Sequence, residues 1–417
     1  MRVLALEPHT HGHHGPYLSW MARGLAERGF EINVVTLPET AELSAIRTNP
    51  ECGRGNGRVS VRFTGAPRSV SLPSGGTDGA VGLVARELAY WRLFRAWYKA
   101  HAETVRPDVV FLPYLDYCLY AIGLLGSPFG SCPWAGLAMR PSFHYRQMGI
   151  RAPEPALAGV KKALFFRVAR NPYLKRLLTI DEPLATYAAA NRHALEKVTY
   201  FPEPAELGEL PLAGDAKRNF GFEQARKVIL LYGSLTARKG VVELLRALAA
   251  PGFPGEVDVL LAGRVAEPGI REILGAPWVQ ALRDQGRLKV IDRFIEPEEE
   301  PALFAAADIV WLGYRAHYAS SGVLAQAAAA RRPVIACEEG IIGWQTRRHG
   351  LGEVINPQNP AAICKAVAVL LKRGPVQPSG ATTQYPSRST FSNACDTLAA
   401  AMIEGAGGKV VGASNEI

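Results

Sequence analysis

The feature that most constrains this chain is a rhythm. Short, nearly continuous apolar runs end in loops rich in glycine, proline or charge, and most are followed by a stretch with helical periodicity. Val3–Leu6, Glu31–Leu37, Pro107–Leu112 and Trp134–Met139 read as strands in the first half. Lys227–Gly233, Val257–Gly263, Lys289–Ile291, Asp308–Leu312 and Pro333–Ala336 read as strands in the second. Runs apolar on both side-chain faces suit strands covered on both sides, as in parallel sheets joined by crossover helices. Helices are expected over about 17–28, with Gly29 as the C-terminal glycine, and over about 80–103, 240–250, 298–306, 321–330 and 390–404. The pattern breaks near Phe201-Pro202-Glu203-Pro204 and then restarts, and 417 residues exceed what one core serves well. The expectation is α/β: two tandem doubly wound, Rossmann-like domains facing across a cleft, with a last helix crossing back to the first. The boundaries are a first domain 1–204, a linker 205–225, a second domain 226–387, the crossing helix 388–404 and a flexible tail 405–417, with 49–78 as loop or hairpin.

Charge and cysteines narrow the classes. The net charge of +9 and pI near 9.3 favour anionic partners without naming one. No run of Lys and Arg interleaved with aromatics suggests a nucleic-acid groove, so no nucleic-acid partner is expected. The six cysteines are scattered, with no Cys-x-x-Cys pair, which argues against a disulfide framework and a structural zinc site. The first apolar run is too short for a secretory signal and no stretch is long enough to span a bilayer, so the expected location is cytoplasmic.

In parallel sheets ligands lie beyond the carboxyl ends of strands, so three loops matter. Pro8–Tyr17 carries His9, His11, His13 and His14 among its residues, four of the nine histidines. Its glycines let the backbone approach a ligand, and the helix start behind it favours anions. Imidazole also ligates metals, but no acid or cysteine accompanies the cluster. It therefore reads as a polar acceptor loop built from Gly12, His13, His14 and Gly15, with no metal and no cofactor. The second loop, Gly233–Gly240, follows a strand, carries Arg238 and Lys239 and precedes a helix, which suits a diphosphate. The third, Gly313–Gly322, offers Ser320 or Ser321 as a helix N-cap and free amides beside Gly322 for a phosphate. Gln326, one turn into the helix, is placed for ribose hydroxyls.

These residues carry a resemblance. The second half resembles retaining glycosyltransferases of family 4, which have the GT-B fold. The likeness runs through Gly233-Ser234-Leu235 to Lys239-Gly240, then Gly263-Arg264 and Leu303–Asp308. It is strongest over Ser320–Ala327 leading into Arg332–Ala336. The N-terminal loop and helix, Phe201-Pro202 and Phe391 fit more loosely. The resemblance implies a metal-independent, hexosyltransferase-type enzyme. Such an enzyme moves a sugar from a nucleotide-diphosphate sugar to the hydroxyl of a sugar, lipid-linked or small-molecule acceptor, with retention of configuration. It puts Arg238 and Lys239 at the leaving diphosphate, and Gly233, Ser234, Arg264, His317, Ser320, Ser321, Gly322 and Gln326 around the donor. A catalytic-site histidine of the first domain maps to His144, after Trp134–Met139, with Asp116 as the alternative. Three positions depart from the family: Ser234 stands where an Arg is usual, and Gln326 and His317 or Tyr318 stand where the family has two glutamates. A catalytically altered GT-B protein (epimerase, phosphorylase or non-catalytic sugar-nucleotide binder) is the alternative.

A dinucleotide oxidoreductase is disfavoured, since no strand is followed by Gly-x-Gly-x-x-Gly. The basic, aromatic helices around Tyr90–Lys99 and Lys161–Arg167 suit either an inward-facing aromatic stripe or peripheral contact with an anionic bilayer.

Overall fold

The computed structural model describes the chain apart from residues 10–13, 38–57, 68–69, 71–79, 206, 377–384, 386–389 and 406–417. Most of the 49–78 loop, the start of the expected crossing helix and nearly all of the expected tail lie outside the described residues. The chain forms two compact units. One gathers Met1–Met148, Pro153–Pro202 and Ser392–Ile417, the other Gly149–Ala152 and Glu203–Phe391.

Among the described residues, the first unit holds a seven-stranded sheet of β1 (Arg2–Leu6), β2 (Glu31–Thr36), β3 (Arg58–Phe63), β4 (Val109–Leu112), β5 (Trp134–Ala138), β6 (Leu174–Thr179) and β7 (Val198–Tyr200). All pairs are parallel, in the order β3-β2-β1-β4-β5-β6-β7. The second unit holds β8 (Lys227–Tyr232), β9 (Val257–Ala262), β10 (Leu288–Ile291), β11 (Ile309–Leu312), β12 (Val334–Cys337) and β13 (Gly352–Ile355), again all parallel, in the order β10-β9-β8-β11-β12-β13. The two sheets share one winding. In each, the chain leaves the first strand to one side and returns on the other with the fourth. That reversal leaves a crevice between β1 and β4, and another between β8 and β11, where neighbouring loops diverge.

Central strands such as β4, β9, β11 and β12 are buried along their whole length. β3 is different: an edge strand, half-exposed, alternating Arg58, Ser60 and Arg62 with Val59, Val61 and Phe63. The long helix Ala80–Val105 turns Tyr90, Leu93, Phe94 and Trp97 into the first core. Of its aromatics, Tyr90, Phe94 and Trp97 are each 5% exposed or less, and Trp91 and Tyr98 pack partly buried against the same core. The stretch read as linker holds a helix, Ala213–Asn219, whose Ala216 packs on Ala305 and Ala306 while Lys217 pairs with Asp308 at 2.7 Å. The last helix, Phe391–Gly405, belongs to the first unit. Its Ala394, Leu398, Ala401 and Met402 share an apolar cluster with Leu18, Met21 and Leu25, and Arg28 pairs with Asp396.

Candidate functional site

The crevice of the second unit is built around the end of β8. Gly233 follows Tyr232 with a φ of +96°, and a Cβ there would overlap the Lys239 ammonium, so glycine makes room for that cation. Gly263, after β9, lies so close to the Gly233 carbonyl that no side chain fits between the two loops. Lys239 ends a short 3-10 turn, Ala237–Lys239, and is 8% exposed. Its Nζ donates to the Tyr232 carbonyl at 2.5 Å and sits 5.1 Å above the Tyr314 ring. Among the described residues it has no carboxylate partner. Burial, reinforced by Arg238, pushes the Lys239 pKa down to about 8. A buried cation without a counter-charge is costly by itself and becomes favourable when an anion enters.

Arg238 is exposed beside it and donates to His317 Nδ1 at 2.7 Å, while His317 Nε2 lies 3.1 Å from the Ser320 carbonyl. These partners assign the Nε2–H tautomer, and burial together with the two cations lowers the His317 pKa. Ser321 occupies the N-cap of helix Gly322–Ala329, but its hydroxyl makes no cap bond and instead bonds Tyr314. The expectation of side-chain capping is corrected accordingly. Ser234 and Arg264 are exposed, and the Arg264 carbonyl accepts from Leu235 N at 2.8 Å. A Cβ at Gly322 would come into ordinary contact with the Glu203 carboxylate.

Gln326 donates through Nε2 to Glu300 Oε2 at 2.5 Å, and the Tyr232 hydroxyl donates to Glu300 Oε1. Burial raises the Glu300 pKa against the opposing effect of these two donors. Tyr232 thus joins two halves, its carbonyl to a cation and its phenol to a carboxylate. An open pocket of about 510 Å³ adjoins the Arg238 side, lined by Arg315, Tyr318, Cys337, Glu338 and Asn356 among others.

The crevice of the first unit holds a second polar cluster. Glu7, directly after β1, is 1% exposed. Its Oε1 accepts from the Tyr117 hydroxyl at 3.2 Å and lies 3.6 Å from His14 Nδ1. His9 Nε2 is 2.7 Å from the Tyr90 hydroxyl, and the Tyr114 and Tyr117 rings pack against His14. Desolvation raises the Glu7 and Tyr117 pKa values. Of the expected acceptor loop, Gly12 and His13 lie outside the described residues, and Gly15 is buried in the first turn of helix His14–Glu27.

His144 is 0% exposed. Its Nε2 lies 3.2 Å from Asp181 Oδ2, and Asp181 caps helix Glu182–Ala190 through Leu184 N at 2.8 Å. The His144 ring is thus enclosed against Asp181, whereas the expectation has it facing a sugar. Asp116 accepts from the backbone of Met139 at 2.7 Å and Arg140 at 2.9 Å, which fixes the loop leading to His144. Sequence reasoning missed Glu300, Tyr232 and Tyr314, and Glu7, Tyr90, Tyr114 and Tyr117. One signal was available: Glu7 and Tyr232 stand at the carboxyl ends of strands that were read correctly.

Residues 226–373 match the family described as glycosyl transferases group 1. That segment begins just before β8 and contains Arg238, Lys239, Glu300, Ser321 and Gln326, so the match lies within the second unit and takes in its crevice. Solved structures share the whole architecture. Sucrose-phosphate synthase from Thermosynechococcus elongatus is 15% identical with a TM-score of 0.60, covering 96% of this chain and 94% of its own. Anabaena HepE, in complex with UDP and glucose, is 15% identical with a TM-score of 0.60, covering 96% and 99%. A Rickettsia africae glycosyltransferase is 10% identical with a TM-score of 0.60, covering 97% and 98%. These likenesses establish a GT-B-like fold of two Rossmann-like domains. No curated protein matches the chain in sequence.

Proposed function

We propose that this protein is a glycosyltransferase that binds a nucleotide-diphosphate sugar in the second unit and transfers the sugar, with retention, to an acceptor hydroxyl. The observation that carries the reading is Lys239, a buried cation with no carboxylate partner among the described residues, in the crevice that the glycosyl transferases group 1 match takes in. In this reading Lys239 and Arg238 hold the diphosphate, and the amides at Ser321 and Gly322 add donors at the start of their helix. The Glu300–Gln326 pair takes the ribose hydroxyls, so a carboxylate still serves the place where Gln326 replaces a glutamate. His317, held by Arg238, lies on the sugar side. The charge that develops on the leaving diphosphate meets fixed cations, which is the largest lever such a site has.

The His14–Glu7 cluster of the first unit is the acceptor site in this reading, with Asp116 and the buried His144–Asp181 pair shaping its walls. The transferred group is a hexose. Binding and turnover persist in a chelator, because the cations of the loop do the work of a metal. The compartment is the cytoplasm.

The test is a thermal-shift screen of nucleoside diphosphates, with UDP first because HepE is bound to it. A ligand selective for the native state raises the melting temperature by mass action. The expected result is a shift with one nucleotide that shrinks in Arg238→Gln. No shift with any nucleoside diphosphate refutes the placement. NMR assignment of the first-formed product decides retention, and an inverted anomer removes that part of the reading.

A further inference from the structure

The pocket of about 510 Å³ beside Arg238 lies wholly within the second unit, where the loops after β8, β11, β12 and β13 meet. Its volume falls in the usual range for a small-molecule site, and the carboxyl ends of strands are where open parallel sheets hold ligands. The loop that carries Arg238 and Lys239 supplies one wall, and the loop after β12 supplies another through Cys337, Glu338 and Glu339.

The backbone fixes where Glu339 stands. Gly340 has a φ of +75°, and a Cβ there would come within 2.6 Å of the His317 carbonyl and 2.7 Å of Tyr318 Cα, so the two loops meet backbone to backbone. Ile341 N donates to the Tyr318 carbonyl at 3.1 Å, and Gly340 N to the Arg151 carbonyl at 2.9 Å. Glu339, at the N-cap of helix Gly340–His349, is thereby held next to Tyr318. Desolvation, and behind it the charge of Glu339, raises the Tyr318 pKa.

The neighbouring charges are already matched. Glu338 accepts from Arg151 at 2.5 Å, Arg315 donates to Glu243 at 2.8 Å, and Arg238 donates to His317. Glu339 differs: it is half-buried, makes no side-chain cap bond and has no ion-pair partner among the described residues. An ionised carboxylate only accepts hydrogen bonds, and its two oxygens suit two adjacent hydroxyl donors. Its position also answers a departure in the sequence. His317 or Tyr318 stands where the family has a glutamate, and Glu339 returns a carboxylate to that place from the next loop, as Glu300 does beside Gln326.

We propose that this pocket receives the sugar of the donor, and that Glu339 determines which sugar is taken by accepting hydrogen bonds from two neighbouring hydroxyls of a neutral hexose. The inference rests on the reading of the second unit as a nucleotide-sugar site and adds the class of sugar. A uronic acid brings a second carboxylate to Glu339 and is disfavoured, since like charges brought together select against the wrong ligand.

The experiment is isothermal titration of the full chain, parent and Glu339→Gln, with UDP, UDP-glucose, UDP-galactose and UDP-glucuronic acid. GDP with GDP-mannose, or ADP with ADP-glucose, takes their place if the thermal-shift screen selects that base. Glu339→Gln is expected to weaken at least one neutral-sugar conjugate by about tenfold, the loss of a hydrogen bond to a charged group. UDP affinity stays at the parental value, which also reports an intact fold, and UDP-glucuronic acid binds the variant more tightly than it binds the parent. Equal losses for UDP and its conjugates, no loss for any neutral conjugate, or no binding of a neutral conjugate by a parent that binds UDP each overturn the assignment of Glu339. A parent that prefers UDP-glucuronic acid to the neutral conjugates overturns it too, with the diphosphate site left standing. A parent that binds no nucleoside diphosphate refutes the donor-site reading itself.

Discussion

Lys239 offers the sharpest test of the donor site, because its proton and the diphosphate are thermodynamically linked. With the pKa pushed down to about 8, the free protein holds the cation in roughly nine molecules of ten at pH 7 and in about one of ten at pH 9. A bound diphosphate favours the charged form, so the pKa rises on binding and the complex takes up a proton wherever the free ammonium has lost it. The sign is then fixed: affinity holds below pH 8 and falls as pH rises through it. If only the cation binds, the loss between pH 7 and 9 is about tenfold, or about 1.4 kcal/mol. Other groups of the crevice leave this window clear. The His317 pKa is lowered from its usual value, and Tyr314 is pushed up to about 12. The terminal phosphate of the ligand, with a pKa near 6, is already ionised. Lys239→Met should weaken binding by about 1.5–3 kcal/mol, the scale of a hydrogen bond to a charged group, and flatten the pH dependence. Arg238→Gln removes the neighbour that helps depress the pKa, so the fall should begin at higher pH. Isothermal titration of UDP across the window decides it. A parental affinity independent of pH, or an equal slope in Lys239→Met, refutes the assignment of Lys239 to the diphosphate.

The remaining site residues make separable predictions. Glu300→Gln sets an amide against the Gln326 donor and removes the charge that Tyr232 addresses. Affinity for UDP should fall by about 1.5–3 kcal/mol while affinity for inorganic pyrophosphate stays unchanged, and an equal loss for both would remove Glu300 from the ribose half. His144→Ala leaves Asp181 buried without its partner, so urea unfolding should show a loss of about 3 kcal/mol with UDP affinity intact. Unchanged stability with turnover abolished would return His144 to the sugar.

Most of the strands legible in the sequence are buried on both faces, where the apolar run is itself the signal, β10 being half-buried beyond Leu288. β6 escaped because Lys175 and Arg176 interrupt it at half-buried positions, and β3 because an edge strand keeps polar residues on one face. β13 is only four residues long and has no fully buried position. In the site, Arg238 and Lys239 were legible because chemistry and spacing lie within one loop. Glu300 was not: its partners are 68 and 26 residues away, and only folding brings them together. Glu7 and Tyr117, 110 residues apart, were hidden for the same reason. The burial of His144 was not legible, since its position after a strand says nothing about which way the ring turns.

The helix Phe391–Gly405 has a temporal consequence. It fills part of the cluster around Leu18, Met21 and Leu25, yet it is made after the entire second unit. A chain emerging from the ribosome exposes that apolar surface through the synthesis of roughly half its length, while Glu203–Phe391 already contains nearly all it needs to close. The half that is born first is therefore the half that matures last, and a stop codon placed just before Phe391 would damage the opposite end of the protein from the one it shortens.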